Sequence, residues 1–253
     1  GEFEVDPTLE KGTSEFRQAG KSFNQMVEAV NQMISGQQRL LSDISHELRS
    51  PLTRLRMANA LAIRKQGESQ ELERIDTEAQ RLEQMISELL TLSRMQVDSH
   101  ITREIQPLSS LWEEILKDAE FEAEQMNKNL TFSAIPDRSI SGNPKLLMSA
   151  LDNIIRNAIY YGKDKVDVQM NVKQDQLTIQ VNDNGDGVPE AELESIFRPF
   201  YRVSTARDRN SGGTGLGLTI TESAIRQHSG TITASRSSLG GLQVEITLPI
   251  IPL

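Results

Sequence analysis

The sequence has 253 residues, of which 37% are hydrophobic and 25% are charged, as in an ordinary globular protein of one large domain or two modest ones. Its formal net charge of −9 argues against nucleic acid or an anionic membrane surface as the main partner. The chain has no cysteine, which excludes disulfides and thiolate metal sites, and it has no apolar run long enough to span a bilayer.

The first predicted elements are long helices with an apolar period of 3.5 residues. Three runs from Glu15 to Arg94 show this spacing: Phe16, Ala19, Phe23, Met26, Val30 and Met33; Leu41, Ile44, Leu48, Pro51, Leu55, Ala58 and Ala62; and Leu72, Ile75, Ala79, Leu82, Ile86, Leu89 and Ser93. The last two runs flank the polar turn "KQGES", so they predict a helical hairpin. A hairpin buries its seam poorly alone, so we expect a dimeric four-helix bundle. The alternative is a monomeric hairpin packed on the second half.

The segment "HELRSP" places a histidine in the second of these runs. If the apolar residues line a bundle seam, His46 faces outward, beside Glu47 and one turn from Ser50. A neutral imidazole is a nucleophile near neutral pH, and an adjacent carboxylate can take its proton. Pro51 removes a backbone donor and loosens this turn, unless it simply begins a new helix with Ser50 as the cap. A solvated surface histidine is the alternative to a reactive one.

The second half alternates helices with strands. Helices are predicted at 107–126, at 144–161 and after the glycine-rich "NSGGTGLGLTI". Period-2 alternation predicts strands at Val166, Val168, Met170 and Val172, at Leu177, Ile179 and Val181, and in the closing "LQVEITLPI". This order predicts an α/β layer with helices on one face of a sheet. The boundary between the halves is expected at 96–106, so His100 lies in a linker. His228 ends the third helix, where a cation suits the helix terminus.

Three features of the second half indicate a ligand site. Asp183 continues the inward alternation of its strand, and a carboxylate on a buried face needs a partner. The following "NGDGVP" supplies Gly185 and Gly187, where the backbone turns tightly or lets a ligand approach. A polar turn at the end of a strand is the alternative.

The other two features are a pair of amides and a glycine-rich stretch. Asn153 and Asn157 lie one helical turn apart and can face phosphate oxygens or Mg²⁺, or form a polar helix edge. Gly213, Gly215 and Gly217 precede a helix and offer backbone N–H groups to a phosphate, or form a hinge. No Lys-Ser/Thr follows, so this is not a Walker loop. The three features together predict a nucleotide site.

These segments resemble the cytoplasmic part of sensor histidine kinases with a HisKA-type dimerisation domain. The resemblance is carried by "LLSDISHELRSPLTRL", "ELERIDTEAQRLEQMISELL", "IFRPFYR" and "ARDRNSGGTGLGL", which within the family are similar to a kinase of envelope-stress signalling. It implies a partial HAMP-like signalling helix at 4–34, a dimerisation and histidine phosphotransfer domain at 35–98, and a catalytic ATP-binding domain at 106–253. The implied fold is an all-α dimeric four-helix bundle followed by an α/β sandwich of the type shared by Hsp90, gyrase and MutL.

The resemblance also implies roles for three residues of the helical half. His46 corresponds to the phosphoacceptor and Glu47 to its base. Ser50 corresponds to the residue that orients water when a phosphorylated partner is dephosphorylated. That position is usually Thr or Asn in the family, and here it is Ser, a departure that bears on the phosphatase activity.

In the second half the resemblance implies the ATP contacts. Asp183 corresponds to the acceptor of the adenine amino group, Asn157 to a ligand of Mg²⁺ beside Asn153, and Arg202 to a contact of the γ-phosphate. The other implied nucleotide contacts are Tyr160, Tyr161, Gly185, Gly187, Phe200, Gly213, Thr214, Gly215, Leu216, Gly217 and Leu218.

The implied function is a homodimeric ATP:protein-histidine kinase that passes its phosphoryl group to the receiver domain of a response regulator. The opening Gly-Glu-Phe resembles a cloning remnant, so the chain is expected to be one piece of a longer protein. The resemblance implies that this longer protein is a bacterial inner-membrane protein, of which this is the cytoplasmic portion. Two alternatives are a non-catalytic, nucleotide-sensing dimeric scaffold and an ATPase of the Hsp90 or MutL type. The outward His46–Glu47 pair argues against both, because neither needs it.

Overall fold

The computed structural model describes residues 14–67, 69–95, 103–203 and 213–251, without the side chains of residues 37, 38, 46 and 66. The chain divides into two compact units, Gly1–Ser99 and His100–Leu253. The first ten residues of the expected HAMP-like segment, and most of the expected linker with His100, lie outside the described residues.

The first unit consists of two long helices that pack on each other. Helix α1 spans Ser14–Gln66 and helix α2 spans Gln70–Met95. Gly67 lies in the turn between them, which confirms the predicted hairpin. Pro51 lies inside α1 and does not begin a new helix. None of the described helices is long and apolar enough to cross a membrane.

Within one copy of the hairpin, the buried face of α1 repeats every seven residues. Ser45, Leu52 and Asn59 are buried, as a helix packed along a single partner requires. On the rim, Arg56 of α1 forms an ion pair with Glu83 of α2 at 2.9 Å. Buried contacts and rim charges therefore set the register of the two helices.

Most of the large apolar residues of the predicted seam lie outside this buried face, although Ala79 of α2 is buried. Leu48 and Leu55 of α1 and Leu82 of α2 are about half exposed in one copy of the chain, and so are Ile44 and Ile75. A regular exposed apolar stripe of this kind is uncommon on the surface of a monomeric soluble protein. The predicted bundle seam is therefore available for a second copy.

In its described residues, the second unit contains three further α-helices and seven strands, besides short 3-10 turns at Glu190–Glu192 and Ser195–Phe197. Its elements in chain order are β1 (Glu104–Pro107), α3 (Leu108–Gln125), β2 (Asn129–Phe132), β3 (Ser139–Gly142), α4 (Pro144–Tyr161), β4 (Lys165–Lys173), β5 (Gln176–Asp183), α5 (Gly217–Gln227), β6 (Thr231–Arg236) and β7 (Leu242–Pro249). Five strands form one sheet in the order β2-β4-β5-β7-β6, while β1 and β3 form a separate antiparallel pair. In the large sheet only β2 and β4 are parallel.

One face of the large sheet carries the core. Leu177, Ile179 and Val181 of β5 are buried, while the residues between them are half-buried and polar. The helices pack on the apolar face, and Trp112 of α3, 1% exposed, donates from its indole Nε1 to the carbonyl of Leu147 on α4. This confirms the predicted sheet with helices on one face.

The structure corrects the prediction for His228. It follows α5, but its ring is buried and is not a surface cation. Nδ1 donates to the carbonyl of Ala224 at 2.6 Å, and Nε2 accepts from the backbone N–H of Asn143 at 2.8 Å. Burial lowers the pKa of His228. The neutral ring thus joins the end of α5 to the start of α4.

Candidate functional site

The centre of the candidate site is Asp183, the last residue of β5. Its side chain is 4% exposed, as the strand alternation predicts. Oδ1 accepts from the backbone N–H of Gly185 at 2.7 Å and from that of Leu242 at 3.2 Å. Burial raises the pKa of Asp183, and these two N–H donors oppose the rise. No described residue donates to Oδ2, so this oxygen can accept a hydrogen bond from a ligand.

The backbone around this carboxylate leaves no room for side chains. A Cβ on Gly185 would collide with the carbonyl oxygen of Tyr161, and one on Gly241 would collide with Oδ1 of Asp183. Gly241 also donates its N–H to the carbonyl of Asp183 at 3.1 Å. The end of α4, the turn after β5 and the turn before β7 therefore meet at Asp183.

Helix α4 carries the two predicted amides. It begins at Pro144, where the side chain of Asn143 accepts from the backbone N–H of residue 146 as an N-cap. Asn153 Nδ2 donates to the carbonyl of Gly217, the first residue of α5, at 3.4 Å. Asn157, one turn later, is half-buried, and its side chain makes no hydrogen bond with any described residue. Its amide oxygen is therefore available as a ligand.

Two tyrosines end this helix. The rings of Tyr160 and Tyr161 pack edge to face, with centroids 5.0 Å apart, and both are 44% exposed. A Cβ on Gly213 would lie 3.8 Å from the Tyr161 hydroxyl. The tyrosine pair thus brings the end of α4 beside the start of the described glycine-rich residues.

The glycine-rich residues form a tight connection with the segment before them. Phe200 donates its N–H to the carbonyl of Gly215 at 2.9 Å. Both residues have positive φ, 61° and 78°, which an aromatic residue rarely adopts and which marks a constrained backbone. The buried Leu216 donates its N–H to the hydroxyl of Thr214.

Gly187 lies after β5 with φ of 73°. Arg202 and Leu218 are half-buried on either side of this connection.

The predicted phosphoacceptor segment lies in the first unit. His46, Glu47 and Ser50 are all within α1, and the side chains of Glu47 and Ser50 are exposed. The hydroxyl of Ser50 accepts from Nη1 of Arg54 at 2.8 Å. Pro51 cannot donate to the carbonyl one turn earlier, that of Glu47. The side chain of His46 lies outside the described part of the chain.

Two residues near the site were not predicted. The side-chain oxygen of Asn184 accepts from the three backbone N–H groups of residues 163–165, at 3.0 to 3.1 Å. Nζ of Lys128 donates to the carbonyl oxygens of Ile159, Tyr160 and Gly162. One feature of the sequence could have indicated the role of Lys128. The last turn of α4 contains no basic residue to bind its free carbonyls, so a cation from another segment is expected there.

Comparison with protein families assigns both halves. Residues 36–97 match the "His Kinase A (phospho-acceptor) domain", and residues 142–252 match the "Histidine kinase-, DNA gyrase B-, and HSP90-like ATPase". Sensor histidine kinase CpxA of Escherichia coli (strain K12) is 54% identical over 251 residues, 99% of this chain and 55% of that protein. The CpxA of Klebsiella pneumoniae subsp. pneumoniae (strain HS11286) is 53% identical over the same shares. The chain spans about half the length of these curated relatives.

Solved structures show the same fold. Full-length ShkA in complex with AMPPNP matches 85% of this chain and 46% of its own with a TM-score of 0.70 and 18% identity. The histidine kinase AdeS of Acinetobacter baumannii matches 82% of this chain and 98% of its own with a TM-score of 0.57 and 22% identity. The chain therefore belongs to the sensor histidine kinases, with a phospho-acceptor helical domain followed by an ATPase domain of the histidine kinase, gyrase B and HSP90 type.

Proposed function

We propose that this chain is the kinase portion of a two-component sensor. ATP held by the second unit phosphorylates His46, and the phosphoryl group then passes to an aspartate of a response regulator. The observation that carries the proposal is the buried Asp183, whose Oδ2 accepts no hydrogen bond from a described residue, in a domain of the ATPase family.

Asp183 suits adenine as the base. When ionised, Oδ2 accepts from the exocyclic amino group of adenine, whereas the carbonyl that guanine presents at the same ring position would be repelled. Tyr160 and Tyr161 offer ring surface at the end of α4. A pocket built on one buried acceptor therefore selects ATP over GTP by leaving the acceptor unpaired with the wrong base.

The residues also suit Mg²⁺ held jointly with phosphates. Among the described residues no three His, Cys, Asp or Glu side chains cluster in a way that could bind a metal alone. Asn157 supplies an unbonded amide oxygen, and Mg²⁺ at nucleotide sites takes few protein ligands along with phosphate oxygens. Bound there, the ion would neutralise phosphate charge. The N–H groups of the glycine-rich residues and the guanidinium of Arg202 would bind the remaining phosphate oxygens.

The transfer itself needs a nucleophile and a base. A lone pair of the neutral His46 imidazole attacks the γ-phosphorus, an N–P bond forms, and the bond to the β-phosphate oxygen breaks, so that ADP leaves with the electron pair. Glu47 takes the proton from the other ring nitrogen, since the phosphorylated ring would otherwise carry a positive charge. Catalysis then rests on positioning and charge neutralisation.

The remaining assignments follow from the family. The exposed stripe of the hairpin pairs with a second copy, which gives a homodimer. Ser50 orients water for dephosphorylation of the regulator. Similarity to CpxA favours a role in envelope-stress signalling, with residues 4–34 as part of a HAMP-like helix pair and an inner-membrane anchor elsewhere in the native protein. The scaffold alternative is not favoured, because residues 36–97 match a phospho-acceptor domain and residues 142–252 match an ATPase family.

A single substitution tests this proposal. His46→Ala should abolish phosphoryl transfer from ATP while leaving ATP affinity and dimerisation nearly intact, and His100→Ala is the matched control that should behave like the parent. Incorporation of label from γ-labelled ATP measures the transfer, and calorimetry measures the affinity. Retained acid-labile label in the His46→Ala chain would contradict the assignment.

A further inference from the structure

Lys128 lies between α3 and β2, outside every motif that carries the family resemblance. Its ammonium donates to three carbonyls at the C-terminal end of α4, to that of Gly162 at 2.8 Å and to those of Ile159 and Tyr160. The last turn of α4 has no basic residue of its own. A cation from another segment thus binds the free carbonyls and balances the negative end of the helix dipole.

The end of α4 lies beside Asp183, the residue proposed above to bind the adenine. A Cβ on Gly162 would lie 3.4 Å from the Cβ of Asp183, and a Cβ on Gly185 would meet the carbonyl of Tyr161. The Mg²⁺ ligand proposed above, Asn157, lies one turn before this end. A shift of the last turn of α4 would therefore change the distance between the adenine acceptor and the phosphate-binding amide.

We propose that Lys128 is a positioning residue for the nucleotide site, fixing the last turn of α4 against Asp183 and keeping that carboxylate charged. This rests on the proposed function for the identity of the ligand as an adenine nucleotide. Lys128 sets the affinity without contacting the nucleotide, because its three hydrogen bonds all go to the backbone of α4 and its end.

The charges around Asp183 support the second part of this role. Burial raises the pKa of Asp183, and besides two backbone N–H groups the charge of Lys128 lowers it. The neighbouring Lys163 pairs with Asp186 at 2.8 Å, and the carboxylate of Asp164 is bonded by Asn184. From β7, the donor to Asp183 is the backbone of residue 242. Of the described side chains, Lys128 is the cation whose charge acts on Asp183.

The experiment titrates the full chain with Mg-ADP by calorimetry between pH 5 and pH 8. Lys128→Gln keeps a donor for the carbonyls but removes the charge, Lys128→Arg keeps both, and Lys173→Gln removes an exposed charge at the far end of β4 as the control. We expect Lys128→Gln to bind Mg-ADP about tenfold more weakly at neutral pH. Its affinity should also begin to fall at a higher pH than that of the parent, because the uncompensated Asp183 protonates earlier. Lys128→Arg and Lys173→Gln should follow the parent.

Parent-like affinity and an unchanged pH profile in Lys128→Gln would overturn the inference. So would an equal loss in Lys128→Gln and Lys128→Arg with the acidic limb unmoved, since that pattern indicates a packing defect. These failures are separate from failure of the proposed function, which would show as no Mg-ADP binding by the parent itself.

Discussion

The two units of this chain complete their cores in different ways. In the second unit, Trp112, Leu177 and the other inward residues are covered by elements of the same chain. In the first unit, α1 and α2 bury a narrow face at Ser45, Leu52 and Asn59, while a parallel apolar stripe stays half exposed. The core of the second unit is thus covered within one chain, whereas the hairpin leaves an apolar stripe exposed.

This difference has a functional consequence. A unit that binds a soluble substrate gains from a rigid, self-contained core, because its pocket geometry then persists in every state. A helical unit that needs a second copy can change its pairing when a signal arrives, because its interface is formed between chains.

The largest effect is expected from charges placed on the exposed stripe. Leu82→Glu with Leu89→Glu should convert dimers to monomers, because each dimer would bury four carboxylates without partners. The dissociation constant should rise by roughly a thousandfold or more, since each buried charge costs several kcal/mol. Light scattering measures the mass, with Ser87→Glu on the exposed side of α2 as the control. Persistent dimers would place the interface elsewhere, for example in the Phe16–Met33 stretch.

The second effect is confined to the other unit. Asp183→Asn should weaken ATP binding about 50-fold, because the new amide can present a donor to the adenine amino group and loses the charged acceptor. Dimerisation should not change. Calorimetric titration measures the affinity, and Asp175→Asn, in the exposed turn between β4 and β5, is the matched control. Unchanged affinity in Asp183→Asn would show that this carboxylate stabilises the turn after β5 and does not bind the nucleotide.

A smaller effect concerns the stability of the second unit in acid. Trp112 lies in this unit, so its signal reports on the unfolding of that unit. The pKa of His228 is lowered in the folded unit, so the unfolded chain binds more protons as pH falls below its ordinary value of about 6.5. The stability that the neutral ring provides is therefore complete above that pH and is lost as pH falls toward the folded pKa. Urea unfolding followed by Trp112, the single tryptophan, should show a lower midpoint at pH 5.5 than at pH 7.

The control for that measurement is His228→Gln, which keeps a side chain able to donate and accept. Its unfolding midpoint should be lower overall but should change less between the two pH values. If the parent and the variant lost the same stability on acidification, another group would be responsible.

The smallest effect is expected at Ser50. Thr restricts its hydroxyl by the β-branch, whereas Ser has more rotamer freedom. Ser50→Thr should therefore dephosphorylate the regulator a few times faster, roughly two- to threefold. Ser50→Ala should lose phosphatase activity and keep kinase activity. Decay of purified phospho-regulator with ADP measures both. Equal rates of decay with Ser50→Ala and with the parent would show that the Ser50 hydroxyl takes no part in dephosphorylation.

The bond from Arg54 to Ser50 sharpens this comparison. It holds the serine hydroxyl in one rotamer in the structure, so adding Arg54→Ala to both chains should widen the difference in rate between the parent and the Ser50→Thr variant. A difference that stays the same would show that the bond does not limit the rotamer.

Long periodic elements were predictable from sequence. The steps of three and four predicted both helices of the hairpin, and strict alternation predicted β4, β5 and the inward side of Asp183, because each pattern reports one buried face. The short strands β1, β2, β3 and β6 were not predicted. Four-residue segments such as β1 and β2 show no period, and their pairing with β3 and β4 depends on distant residues.

The chemistry of the site divides in the same way. Asn157 and Asp183 could be named because their spacing on a helix and a strand fixes their direction. Lys128 and Asn184 could not, because each acts on backbone groups of an element folded against it from 19 to 34 residues away. Likewise, sequence placed His228 at a helix end but could not show that Asn143 covers it. The periodicity of a helix or strand predicts the face on which a side chain lies, whereas the partner of that side chain depends on the tertiary fold.

The most direct test of the central claim is the position and chemistry of the label after incubation with Mg²⁺ and γ-labelled ATP. The account predicts a phosphoryl group that is lost in acid and retained in alkali, located by mass spectrometry on His46. Release of inorganic phosphate without any protein label, as in an ATPase of the Hsp90 type, or an acid-stable label on a hydroxyl side chain would contradict it.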